Sequence, residues 1–283
     1  MAHTSCISNH KGGVGKTTCV AAVADALARE KQNVLVIDMD PQFNLTMMLI
    51  GDNVEPATTM ADLLLGAEES AFDIFAKAVV TETSIPGVHI VPSSLEMDYV
   101  ANTLRLNTLT SPALYLRRRL RAFADQYDFI LIDTPPSLNL LTMNALASAD
   151  QVIIPFLSGD KSGLKGVNNL MRSLNDIRDP SINPTLNVLG AVITGFDGRE
   201  VAHVTTEAAI GNSFKILARV PRSALLQRGA LANQTILQAD RTSKASREYV
   251  NLAAHLMDTC GVARTRRARR EDGVSSPQTS EVA

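Results

Sequence analysis

The sequence predicts an α/β fold: a single doubly wound, mainly parallel sheet with helices on both faces. Three observations carry that expectation. Short apolar, β-branched runs alternate with longer stretches of helical spacing, and strand–helix alternation calls for crossovers between parallel strands. The short runs are nearly unbroken in apolar residues, as strands covered on both faces must be. A glycine-rich loop, Asn9 to Thr18, separates the first run from the first helical stretch.

Thr4 to Ser8 reads as the first strand and Thr18 to Glu30 as the first helix. Asn33 to Asp38 is the second strand, and Pro41 forces the chain out of it into a loop. Gly51 to Ile85 is mixed, with helices expected at Thr59 to Leu65 and Ser70 to Val80. Strands follow at Val88 to Val91, Phe129 to Asp133, Gln151 to Pro155, Leu186 to Thr194 and Ile216 to Val220. Helical spacing marks Pro112 to Gln126, Ser162 to Ile177 and Glu200 to Gly211, and Ser243 to Cys260 reads as a closing helix. Residues 1–260 are therefore expected to form one domain. Residues 261–283, basic and then polar, lack large apolar side chains to dock and are expected to be a disordered tail.

A composition of 45% hydrophobic and 20% charged residues fits a globular protein with a large core and excludes disorder throughout. There is no apolar run of about eighteen residues and no charged leader before an apolar stretch, so neither a membrane span nor a signal peptide is expected. Cys6, Cys19 and Cys260 are odd in number and form no CxxC pair, which argues against a disulfide framework or a cysteine-ligated metal within one chain. The net charge of −2 hides a division along the chain. Residues 1–214 carry 15 basic and 23 acidic side chains, residues 215–270 carry 12 and 3, and residues 271–283 carry none and 3. The positive charge is thus concentrated late.

Asn9-His-Lys-Gly-Gly-Val-Gly-Lys-Thr-Thr18 has the features of a phosphate loop. Gly12, Gly13 and Gly15 let consecutive backbone N–H groups, with that of Val14, approach phosphate oxygens. Lys16 supplies a cation, the Thr17 hydroxyl can ligate Mg²⁺, and Thr18 opens the helix whose N-terminus adds positive potential. The strict GxxxxGK[ST] pattern fails because His10 occupies its first glycine position. Lys11 is a second lysine within the loop, where an ordinary phosphate loop needs no fixed charge; a solvated loop lysine is the alternative. Val34-Leu-Val-Ile-Asp-Met-Asp-Pro-Gln42 is a strand ending in two carboxylates, Asp38 and Asp40, at the sheet edge where ligands bind. Tyr127-Asp-Phe-Ile-Leu-Ile-Asp-Thr-Pro-Pro136 is an apolar strand ending in Asp133.

KGGVGKT, followed by DMDPQ and then IDTPP, resembles the deviant Walker A box and its companion motifs in the ParA/MinD family of dimerising ATPases. The resemblance spans about residues 4–258, more loosely in the last third. It implies a P-loop NTPase fold with ATP and Mg²⁺ as cofactors. Lys11 would then reach the nucleotide of a partner subunit, and Lys16 would hold the bound phosphates. Asp40 would orient the attacking water, Asp38 would support the Mg²⁺ shell, Asp133 would hold Mg²⁺ through water, and Thr134 to Ser137 would be the second switch. Pro221 would lie near the adenine. The family usually continues with a small residue after DxDPQ, where this chain has Phe43 and Leu45.

In the ParA-like reading an ATP-bound homodimer binds double-stranded DNA non-specifically, and a ParB-like activator triggers hydrolysis to segregate a plasmid or chromosome. The protein would be a slow ATPase, cytoplasmic and nucleoid-associated in a bacterium. Lys215, Arg219, Arg222, Arg228, Arg241, Lys244 and Arg247 are candidate DNA contacts, with a solvated surface as the alternative and the arginines of residues 264–270 as a second basic source. A related switch that positions another cargo, such as a chemoreceptor array, is the competing reading. A MinD-like membrane role is disfavoured because the tail after Arg264 holds no Leu, Ile, Phe or Trp to form an apolar stripe.

Overall fold

The structure, a computed structural model, describes residues 2–106 and 111–263. Strands β1 (His3–Ile7), β2 (Val34–Asp38), β3 (Val88–Val91), β4 (Phe129–Asp133), β5 (Gln151–Leu157), β6 (Asn187–Phe196) and β7 (Ile216–Pro221) form one sheet in the order β3-β2-β4-β1-β5-β6-β7. Each neighbouring pair is parallel. The helices are α1 (Lys16–Arg29), α2 (Asn44–Ile50), α3 (Met60–Leu65), α4 (Ala71–Ala78), α5 (Met97–Leu106), α6 (Tyr115–Leu120), α7 (Leu140–Ser148), α8 (Lys161–Ile177), α9 (Val201–Gly211), α10 (Ala224–Leu231), α11 (Ile236–Ala239) and α12 (Lys244–Thr259). The expected tail, apart from residues 261–263, lies outside the described residues.

Alternate residues of each central strand feed opposite cores, because side chains of a strand point to opposite faces with period two. Leu35, Ile37, Ile130, Ile132, Val152 and Ile154 pack beneath α3, α5, α6, α7 and α8. Val34, Val36, Phe129, Leu131 and Ile153 pack against α1, α11 and α12 on the other side. Truncating one of these fully buried residues, such as Leu131→Ala, is expected to cost about 2–5 kcal/mol. The double burial explains why the strands have no polar face in the sequence.

The expected helix Pro112 to Gln126 is broken. A 3₁₀ turn at Pro112–Leu114 leads into α6, and a second follows at Ala124–Gln126. Between them Phe123, with φ −144°, turns into the core and stacks on Phe75 with centroids 3.8 Å apart; that packing outweighs helical continuity. The loop expected after Pro41 is short, because Phe43 takes a left-handed conformation (φ 42°) and α2 begins at Asn44 with Leu45 buried. α7 is a further helix that periodicity does not reveal. Seven of its residues are buried, so no polar stripe marks it, and its start is set instead by Asn139, whose side chain accepts from Leu141 and Thr142 N–H.

Candidate active site

The glycine-rich loop leaves β1 and is braced from neighbouring strands. Asn9 donates from Nδ2 to the Pro155 carbonyl (2.8 Å) and accepts from Lys11 N–H (3.1 Å). Thr194 on β6 donates to the Val14 carbonyl (3.0 Å). Gly13 and Gly15 have φ of 73° and 87°, a region costly for residues with a Cβ. A Cβ at Gly13 would meet nothing within 4 Å, whereas one at Gly15 would stand 3.3 Å from Thr194 Cγ2. The first position therefore borders open space and the second a wall.

Lys16 begins α1 and arches back to donate from Nζ to the Lys11 carbonyl (3.0 Å). Burial pushes its pKa down, against the opposing pull of Asp133 and Asp40. No side chain caps α1 and no acidic residue occupies its first turn, so its N-terminal N–H groups and dipole are directed at the cleft. Thr17 donates from Oγ1 to Asp133 Oδ2 (2.7 Å). His10 remains within the loop; burial, then Lys16 and Lys11, lower its pKa, and its buried Nδ1 has no hydrogen-bond partner.

The two acidic motifs meet because β4 lies between β2 and β1 and aligns Asp38 with Asp133. Both are fully buried. Burial raises Asp38 to about 6, opposed by hydrogen bonds from Thr46 and Asp40. Asp133 is pushed up to about 8 by burial and then by Asp38. The juxtaposed carboxylates thus favour holding a proton or a cation. Asp40 is nearly buried and lines the cleft, with Oδ1 accepting from Gln42 N–H (3.0 Å).

The resulting cleft of ≈ 620 Å³ is bordered by Gly12, Gly13, Gly15, Lys16, Thr17 and Thr18 on one side. Asp40, Pro136 and, on α2, Asn44, Met47 and Met48 border the other. Its rim is bridged by Asn233, which donates from Nδ2 to Asp52 Oδ1 (3.0 Å). The oxygen donors Thr17 and Asp133, an open glycine cradle and a buried lysine fit a triphosphate with Mg²⁺, a hard cation that prefers oxygen ligands.

Several expected site residues stand apart from this cluster. Lys11, about one-third exposed, pairs with Asp160 just beyond β5. Pro221 ends β7 and does not border the cleft around the phosphate loop. Lys215, Arg219, Arg222, Arg228, Lys244 and Arg247 are all exposed. Arg219 is committed to Glu207 (2.5 Å), and Lys215 Nζ lies 3.2 Å from His255 Nε2. Thr194, which braces the loop, Asn233, which borders the cleft, and Asp160, which holds Lys11 apart from it, are residues that sequence reasoning missed; each contact is made only by the tertiary fold.

A parallel sheet with a phosphate loop after β1, and with a loop threonine bonded to the acid ending a neighbouring strand, defines a P-loop nucleotide-binding protein. The AAA domain family matches residues 2–188. The Myxococcus xanthus chromosome partitioning protein ParA is 34% identical over 259 residues, covering 89% of this chain and 87% of that protein. The Thermus thermophilus chromosome-partitioning ATPase Soj is 34% identical over 254 residues, covering 89% and 94%. The chain belongs to the ParA/MinD family of ATPases. Among solved structures, Mycobacterium smegmatis cobyrinic acid a,c-diamide synthase with ADP and magnesium superposes with a TM-score of 0.76 at 28% identity, covering 92% of this chain and 96% of that one. The Pyrococcus furiosus cell division ATPase MinD gives 0.74 at 26%, covering 92% and 100%.

Proposed function

We propose that this protein is an ATP-dependent, dimerising ATPase that binds DNA without sequence preference and segregates a plasmid or chromosome with a ParB-like activator. Support comes from the contrast between the two loop lysines: Lys16 closes the phosphate cradle, while Lys11 pairs outside it with Asp160. An arriving second subunit could receive Lys11 once that pair opens. The supply of a cation in trans would link dimerisation to phosphoryl transfer.

In this mechanism the loop N–H groups and Lys16 bind the β- and γ-phosphates of ATP. Thr17 and Asp133 would hold Mg²⁺, with Asp38 on the adjoining strand supporting its shell. Mg²⁺ supplies charge neutralisation at the phosphates. Asp40 orients the attacking water, and Lys11 from the other subunit offsets developing charge on the transferred phosphoryl group. Pro221 is assigned to the adenine end of the nucleotide. The exposed basic residues on β7, α10 and α12 would neutralise DNA phosphates. The protein would act in the bacterial cytoplasm on the nucleoid; among the described residues no helix is long and apolar enough to cross a membrane.

The test is the ATPase rate with DNA, with the product of the adjacent gene, and with both. Strong stimulation only with both is the expected result, and Lys16→Ala should lose ATP binding and DNA retention together. ATP-dependent DNA retention by Lys16→Ala would overturn the coupling. Stimulation without any requirement for DNA would favour the positioning of another cargo.

A further inference from the structure

Behind the cleft lies a closed ring of buried hydrogen bonds that the motifs do not announce. Asp40 N–H donates to Asp38 Oδ1 (3.0 Å). Thr46 donates both its N–H (2.9 Å) and its hydroxyl (2.8 Å) to Asp38 Oδ2. Thr46 Oγ1 in turn accepts from Ser93 N–H (2.9 Å), and the Ser93 hydroxyl closes the ring on the Asp40 carbonyl (2.8 Å). Asp38, Asp40, Thr46 and Ser93 are all 7% exposed or less.

The ring joins three elements: the end of β2, the first turn of α2, and the chain just beyond β3. A hydroxyl has one proton to give, and both hydroxyls spend it inside the ring. Asp40 is consequently held at both ends of its backbone, by Asp38 at the N–H and by Ser93 at the carbonyl. Its carboxylate is aimed at the cleft from a fixed base. Sealed from water, such bonds are costly to leave unmade and therefore stiff.

We infer that Ser93 and Thr46 are positioning residues for ATP hydrolysis, holding Asp40 where its carboxylate can orient the attacking water. The inference rests on the role proposed for Asp40. Neither residue borders the phosphate cleft, and within the ring Ser93 bonds Thr46 and Asp40 rather than Asp38, so the loss of its hydroxyl should leave ground-state binding of ATP intact and slow the chemical step. A misplacement of about 1 Å in a reacting group costs up to about 100-fold; the loss of one ring bond, with the rest intact, should cost roughly tenfold.

The decisive experiment measures single-turnover hydrolysis and fluorescent-ATP affinity for Ser93→Ala, Thr46→Val, Thr46→Ser and Asp40→Ala, with DNA present throughout. Ser93→Ala is expected to bind ATP within about twofold of the parent and to hydrolyse it roughly tenfold more slowly. Thr46→Ser keeps the hydroxyl and should retain near-parental turnover, whereas Thr46→Val should not. In an Asp40→Ala background Ser93→Ala should add no further loss, because the group it positions is gone. Binding of Mg–ADP with aluminium fluoride provides a second readout: it should weaken in Ser93→Ala while ADP alone binds unchanged.

Parental turnover and aluminium fluoride affinity in Ser93→Ala, with Asp40→Ala inactive, would overturn the inference and leave the role of Asp40 standing. An additive loss in the double variant would also overturn it. Normal hydrolysis by Asp40→Ala would remove the Asp40 role itself, and the inference with it.

Discussion

Asp133→Asn should remove catalysis and stabilise the nucleotide-free protein. Asp133 is fully buried beside Asp38, and its pKa is raised from 3.8 to about 8 by burial and by that neighbour. A carboxyl with a raised folded pKa binds its proton more tightly folded than unfolded. Stability associated with it is therefore full below about pH 4 and is lost as pH rises toward about 8, at up to about 1.4 kcal/mol per unit. At pH 7 the ceiling is about 4 kcal/mol. An asparagine can still accept from Thr134 N–H and can donate to the Thr17 hydroxyl, the two present partners. Allowing for poorer geometry, the expected gain is about 2 kcal/mol. Urea melts at pH 7.5 in EDTA without nucleotide measure it, and the gap between variant and parent should close as the pH falls toward 4. A variant less stable than the parent in EDTA would refute the assignment of a burial and repulsion cost to this carboxylate.

Gly15→Ala should cost about 1–3 kcal/mol, from the left-handed backbone and the approach to Thr194; urea melts check it, and ATP titration should show a weakened loop. Asp25→Ala should destabilise by about 2–3 kcal/mol, since buried Asp25 accepts from both Thr235 Oγ1 and Arg29 Nε at 2.5 Å. Amide exchange should then rise at α11 before it rises at β4. Asp160→Asn should remove one ion pair from Lys11 and tighten ATP-driven self-association by roughly threefold, the worth of a partly exposed ion pair; weaker association in sedimentation velocity would show that Asp160 serves the assembled state instead. Arg222→Ala with Lys244→Ala should weaken DNA retention and lower its salt slope by about 2 while ATP affinity holds; an unchanged slope would move the DNA surface elsewhere.

The strands were legible because both faces of the sheet are covered, leaving runs such as Val34 to Ile37 without a polar break. The phosphate loop and the positions of Asp38 and Asp133 were legible because the loop follows a strand and each acid ends one. What escaped was tertiary. Thr194 reaches Val14 across 180 residues, and Asp160 reaches Lys11 across 149; no local pattern encodes either contact. Ser93 and Thr46 look like ordinary polar loop and helix residues until the fold seals them beside Asp40. The late positive charge was visible as a total, but the engagement of Arg219 with Glu207 was not.

The strand order also dictates when the site can exist during synthesis. β1 and β2 carry the phosphate loop and Asp38, yet they are separated in the sheet by β4 and share no hydrogen bonds. Their first common neighbour is made only after residue 129, and the loop's brace, Thr194, comes later still. Such distant pairings pay a large loop-closure entropy and form late. A chain emerging from the ribosome thus carries its complete KGGVGKT signature long before it can grip a nucleotide. Competence arrives only when the sixth strand has closed against the fifth.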